Sequence, residues 1–290
     1  MTPKTKLMPM QNQPHEERVA YRFYATLLDG FQDLLDSDKI YEKYWGFSEN
    51  PPHTPEEFKQ KQFQSFIDRI NRVPFDSEAA DKGTAFNEII DCMIEHRQSE
   101  KVEVRFEYEA NVIGSVDNCE PDERWADVEY TGKIIGLTAY YNNRAFYFDI
   151  NLCREFANYY KGALTQQFVK AIVRTRYGNV EVYGYEDELM PQSIHDIKTT
   201  SSYSVGKFKD HWQHIVYPYC HMQNGEDLRL FEYNIAEFGK YGKWATYTET
   251  YMFNPERDVP KLVSHCEELI EFLMENRHLI TDRKIFNLPA

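Results

Sequence analysis

The chain reads as an α/β (α+β) fold in which helices flank a mixed β-sheet, and three features of the sequence predict it. Apolar residues recur at helical spacing through the first third. From Val102 the pattern changes to alternation, and the last third interleaves single helices with strands. At 290 residues the chain can bury a sizeable core.

Residues 1–15 are polar and contain prolines, and they read as a flexible tail ahead of one domain spanning 16–290. From Glu16 to Asp36, Val19, Phe23, Leu27, Phe31 and Leu34 or Leu35 predict a helix. After a Pro/Gly/Asn loop, Thr54-Pro55-Glu56 gives a start signal: a capping hydroxyl, Pro just inside and an acidic first turn. That helix carries Phe58, Phe63, Phe66, Ile67 and Ile70 and stops before Pro74, and a third helix spans Lys82–His96. Alternation then marks strands at Val102–Tyr108, Lys133–Tyr140 and Ala145–Ile150, the last two joined by an Asn142-Asn143 hairpin turn. A short helix, Arg154–Tyr160, leads to strands at Gln166–Arg176, Asn179–Glu188 and Gln192–Thr200. A helix over Val205–Met222, strands at Leu228–Ile235 and Thr246–Phe253, and an amphipathic helix over Val259–Arg277 complete the chain. No internal repeat is evident.

Composition narrows the function. Aromatic residues make up 15% of the chain, which is foreign to disordered proteins. No apolar run approaches the roughly 20 residues of a membrane helix, and the N-terminus lacks the apolar core of a signal peptide, so a cytoplasmic protein with no membrane partner is expected. The five cysteines are scattered, with no C-x-x-C pair, and read as free thiols. His211, His214 and His221 with Cys220 follow no zinc spacing. Nucleotide-loop and nucleophile-elbow motifs are absent. Lys170, Arg174 and Arg176 share one face of a strand, either as a phosphate track or as an ordinary solvated face. The net charge of −14 argues at first against a nucleic-acid partner, which normally demands a basic footprint.

The stretch from Val180 to Thr200 concentrates the chemistry. Period-two alternation puts Asp196 and Lys198 on one side of their strand and Ile197 on the other. Asp187 ends the preceding strand and can lie beside Asp196. Two carboxylates supply hard oxygen ligands for Mg²⁺ or Mn²⁺, and an ammonium stabilises charge developing on a phosphate. An isolated D-x-K is more often a salt-bridged strand surface, so its context decides. Asn87 and Asp91, four apart, share a helical face, as do Gln213 and Tyr217, and both helices can present a polar pair to that sheet end.

The ordered set Gly83-Thr84…Asn87…Asp91, Gly184…Asp187, Asp196-Ile197-Lys198-Thr199 and Gln213…Tyr217 resembles the PD-(D/E)XK nuclease superfamily, in its RecB-like exonuclease branch, which includes CRISPR-associated adaptation nucleases. The cysteines of that branch's iron–sulfur members are missing. The resemblance implies a restriction-endonuclease-like core, with 102–150 as a β-rich insertion between motif elements. It implies a Mg²⁺- or Mn²⁺-dependent DNA nuclease, an exonuclease by branch, acting on linear duplex or single strands in recombination, repair or replication, in a bacterium or a phage, with partner proteins from those processes. By the same resemblance Asp187, Asp196 and the Ile197 carbonyl ligate the metal and Lys198 serves the attacking water. Gln213 and Tyr217 support Lys198 or the strand, and Asp91 acts from behind the ligands. The family's histidine is Asn87 here, so Asn87 or the adjacent Glu88 would complete the ligand set. The same replacement favours a rival class, an inactive nuclease fold serving as a nucleic-acid-binding or assembly module. A metal-dependent site is itself acidic, so the charge no longer excludes DNA; it predicts weak binding conditional on a divalent ion.

Overall fold

A computed structural model describes residues 18–115 and 126–289, so the expected tail and Cys119 lie outside the described residues. The first element departs from expectation. Val19–Tyr24 is a strand, β1, and the helix α1 begins only at Ala25 and runs to Leu35. Val19, Tyr21 and Phe23 satisfy alternation as well as the four-residue spacing, and β-branched and aromatic side chains favour the strand once a sheet edge is available. Helix α2 (Ser37–Trp45) follows, then α3 (Pro55–Ile70). Helix α3 begins with a capping box: Thr54 accepts from the Glu57 amide and the Glu57 carboxylate accepts from the Thr54 amide. Helix α4 spans Glu78–Glu95.

Strands β2 (Glu103–Ser115), β3 (Ala126–Tyr141) and β4 (Arg144–Asp149) form a separate antiparallel sheet. Its second turn is Asn142-Asn143, both with positive φ (48° and 60°), as a two-residue hairpin requires. Helix α5 (Ile150–Tyr159) leads into β5 (Leu164–Thr175), β6 (Gly178–Met190) and β7 (Ser193–Thr200). The helix expected over Val205–Met222 is confined to α6, Gln213–Gln223; the stretch before it turns through Gly206 at φ 76°. Strands β8 (Leu230–Phe238) and β9 (Trp244–Met252) precede α7 (Pro255–Glu275), which the Asn254 side chain caps.

The described residues thus form a mixed α/β architecture consistent with a generic restriction-endonuclease-like topology. The main sheet runs β1-β6-β7-β8-β9, with β5 on the other edge of β6. The β1–β6 and β7–β8 pairs are parallel; β5–β6, β6–β7 and β8–β9 are antiparallel. One face packs α1, α3, α6 and α7 around Phe23, Leu27, Val182, Ile194 and Leu269. On the other, α4, α5 and the small sheet cover β7 and β8 through Phe86, Ile90, Phe148, Leu152, Ile197 and Ala236. No helix among the described residues is long and apolar enough to cross a membrane.

One edge of β6 is shared by two strands. Strand β7 pairs only with Glu188–Met190, and β1 pairs with 179–183. Between them β6 and β7 part, and the gap opens at Gly184–Asp187 beside Asp196–Lys198.

Candidate active site

Four elements converge on that gap. Asp187 turns its carboxylate across it, where Oδ2 accepts from the Ile197 amide (2.8 Å) and from Asn87 Nδ2 on α4 (3.0 Å). The first contact satisfies a backbone donor that the parting of the strands would otherwise leave buried and unmet. Lys198 Nζ lies 2.6 Å from Asp196 Oδ2 and donates to Gln213 Oε1 at 2.7 Å. Gln213 Nε2 donates to Asp196 Oδ1 and, at 3.3 Å, to the Tyr217 hydroxyl. One amide therefore grips both members of an ion pair.

The two glycines of the sequence pattern have packing reasons. A methyl group on Gly184 would sit 2.5 Å from Tyr217 Cε1 and 2.7 Å from its hydroxyl, so α6 approaches β6 only over a bare Cα. On Gly83 it would meet Thr199 Oγ1 at 3.1 Å, which sets how closely α4 crosses β7.

Burial and like charge govern the protonation states. Burial and then the Asp196 charge push Asp187 up to about 8, against the pull of Lys198 and the Ile197 amide. Asp91 is buried and raised to about 6 by burial and the Glu88 charge. Burial favours a neutral Lys198, yet Asp196, Asp187 and Asp29 together carry it above the ordinary lysine value. It is a charged lysine held by carboxylates.

Glu88 and Tyr217 stand at the margin of this cluster. Glu88 does not face the gap. It lies about 100° around α4 from Asn87 and takes Arg97 (2.7 Å), Ser99 (2.8 Å) and Lys101 (3.3 Å). Although burial opposes it, Arg97 and Ser99 hold its carboxyl down at about 2, an ion-paired carboxylate on the flank of α4. Tyr217 touches Gln213 and Gly184, and no contact links it to Lys198.

Sequence reasoning missed Glu188 and Asp29. Glu188 is fully buried opposite His195, and neither carboxylate oxygen has a hydrogen-bond partner of adequate geometry; burial and the Asp187 and Asp91 charges raise it well above the usual glutamate range. Strict alternation would put it on the same face as Glu186, which pairs with His221 on α6. The β5–β6 register skips Gln166 and Asp187, and Gln166 has φ 51°, a local distortion that turns Glu188 toward α4 and α5. Asp29, on the apolar face of α1, accepts from the Trp212 amide and is raised by burial to about 7. Its signal in the sequence is an acid inside the Leu27-Leu28-Asp29-Gly30-Phe31 run.

Among the described residues no group of three or more His, Cys, Asp or Glu side chains is arranged to hold a metal ion. The available donors are Asp187, Asp196, the Ile197 carbonyl and Asn87, whose Oδ1 is buried without a partner. Two carboxylates with neutral oxygens suit Mg²⁺, which completes its shell with water and phosphate. His211 and His214 are half-buried and lowered by desolvation to about 3 and about 4, and His221 is held between Glu186 and Glu226.

No family model and no curated protein matches the chain. Among the solved structures that are distantly similar are the following two. One is the crystal structure of SSO0001, at 13% identity and TM-score 0.30, covering 42% of this chain and 56% of that one. The other is the crystal structure of a "Putative exonuclease" from Eubacterium rectale, at 12% identity and TM-score 0.36, covering 95% of this chain and 86% of that one.

Proposed function

We propose that the chain is a divalent-metal-dependent nuclease that hydrolyses phosphodiester bonds in DNA, in recombination, repair or replication. The observation that carries this reading is the gap between β6 and β7, where Asp187, Asp196, Lys198, Asn87 and Gln213 meet. Asp187, Asp196, the Ile197 carbonyl and the free Oδ1 of Asn87 would hold Mg²⁺ or Mn²⁺. A bound cation would supply Lewis acidity toward the scissile phosphate and toward water. Asp196 and Gln213 fix the Lys198 ammonium, which stabilises negative charge growing on the phosphate oxygens. Gln213 positions rather than reacts, Tyr217 braces Gln213, and Asp91 supports the charge balance behind Asp187. The inactive-module reading draws on one observation: Asn87 spends its amide donor on Asp187 in place of an imidazole ligand.

The test is cleavage of linear duplex and single-stranded DNA with Mg²⁺ or Mn²⁺, comparing the natural chain with Asp196→Asn and Lys198→Met. Both near-isosteric changes are expected to cost about 100-fold or more in rate with folding intact by circular dichroism. No cleavage with either ion would leave the inactive-module reading in its place, and cleavage that survives both changes would take the catalysis away from this gap.

A further inference from the structure

Beside the gap, one face of the main sheet is left open. Strands β1, β5 and β6 bury Phe23, Val169, Ala171, Val180 and Val182 on one side, while on the other α4 and α5 cover β7 and β8 and meet β5 and β6 only at their Thr165 and Asp187–Met190 ends. The uncovered side is lined by rings. Tyr24 on β1 stands in register with Tyr183 on β6, which stands opposite Lys170 on β5; the next rung toward Asp187 pairs Tyr185 with Phe168. Ring centroids are 6.2 Å apart for Tyr24–Tyr183, 6.2 Å for Tyr183–Phe168 and 5.1 Å for Phe168–Tyr185. Phe168 is 46% exposed and Tyr185 58%. The row descends β6 and stops two residues short of Asp187.

From this ladder we propose that the open face is a stacking track for the unpaired bases of a single-stranded nucleic acid, which it leads to the gap. This rests on the nuclease reading for what happens at the end of the track, but not for the binding itself. Exposed aromatic rows are costly unless covered, and every base offers a flat apolar face to them. The cations beside the row suit a sugar-phosphate backbone: Arg22 and Lys170 share the single carboxylate of Glu181, and Arg22 lies over the Tyr183 ring at 5.2 Å. A duplex hides its base faces and gains nothing from the rings. Stacking also gives a chain of net charge −14 a means of holding DNA that does not depend on a basic surface.

Binding is read by fluorescence anisotropy with labelled oligothymidylate and a blunt duplex, in the Lys198→Met background with Mg²⁺ so that no strand is cut. Phe168→Ala and Tyr185→Ala are each expected to weaken single-strand binding about ten-fold, with duplex binding unchanged. Tyr185→Phe is expected to bind as the parent does, because the ring face and not the hydroxyl makes the contact. In the natural background the alanine variants should raise KM for single strands and leave kcat unchanged. Unchanged single-strand affinity in both alanine variants, equal losses on duplex, or no binding of either DNA would overturn the track, the last outcome giving the face to a protein partner. Loss of single-strand binding in a chain that shows no metal-dependent cleavage would uphold the track and sink the nuclease reading. Intact Lys198-dependent cleavage with unaltered binding would do the reverse.

Discussion

At the scale of single residues, Gln213 is the most informative side chain in the gap. Its amide accepts from Lys198 and donates to Asp196, so it sets their orientation without adding charge. Gln213→Ala is expected to lower cleavage about 10- to 100-fold while the protein stays folded, measured as kcat/KM against the thermal midpoint. The sequence made this residue legible through its four-residue spacing to Tyr217, and alternation alone put Asp196 and Lys198 on one side with Ile197 opposite. It did not show Glu88 leaving the gap. That choice is made by Arg97, Ser99 and Lys101, which meet Glu88 only once the chain has turned beyond α4.

At the scale of elements, the decisive event is the parting of β6 and β7, and Gly184 is where α6 exploits it. Gly184→Ala forces a methyl group into Tyr217 and is expected to destabilise the fold by about 1–3 kcal/mol in chemical denaturation. Combining it with Tyr217→Leu should cost less than the sum of the two single changes, since both act on one contact. If the losses add, the contact is not the reason for the glycine. Most helices and strands were legible from period and caps, α3 most clearly through Thr54, Pro55 and Glu57. β1 was not, because Val19 and Phe23 fit both periods and only the distant edge of β6 decides between them.

At the scale of the whole molecule, buried acids and the desolvated His211, His214 and His265 oppose each other as pH changes. Burial lowers His211 to about 3 and His214 and His265 to about 4, so their stabilisation is complete above about 6.5 and fades as pH falls through those values. Asp29, at about 7, and Asp187, at about 8, keep protons that the unfolded chain releases near 3.8, so stability falls as pH rises toward 8. Between about 6.5 and 8 the acids act, joined in the same direction by His221. Burial opposes its charge, yet Glu186 and Glu226 raise it above the ordinary histidine value, so that its stabilisation also falls as pH rises. The metal-free protein is therefore expected to lose thermal stability across that window, and Mg²⁺ or Mn²⁺ should restore more at pH 8 than at 6.5. Asp187→Asn should flatten the metal-free profile and remove the metal response. A melting series showing equal metal effects at both ends would contradict this.

The strand that closes the edge of β6 also sets an order of assembly. Arg22 and its partner Glu181 are separated by 159 residues, so β1 is synthesised well ahead of β6 and has no edge to join until β6 exists. At ribosomal rates that delay is roughly 8–30 s. Through it, a short segment built from Val19, Tyr21 and Phe23 stays unsatisfied, an invitation to strands of other chains. A nascent chain that stops before Gly178 leaves that segment exposed, and aggregation of such fragments is the cost of pairing β1 with a strand so distant in sequence.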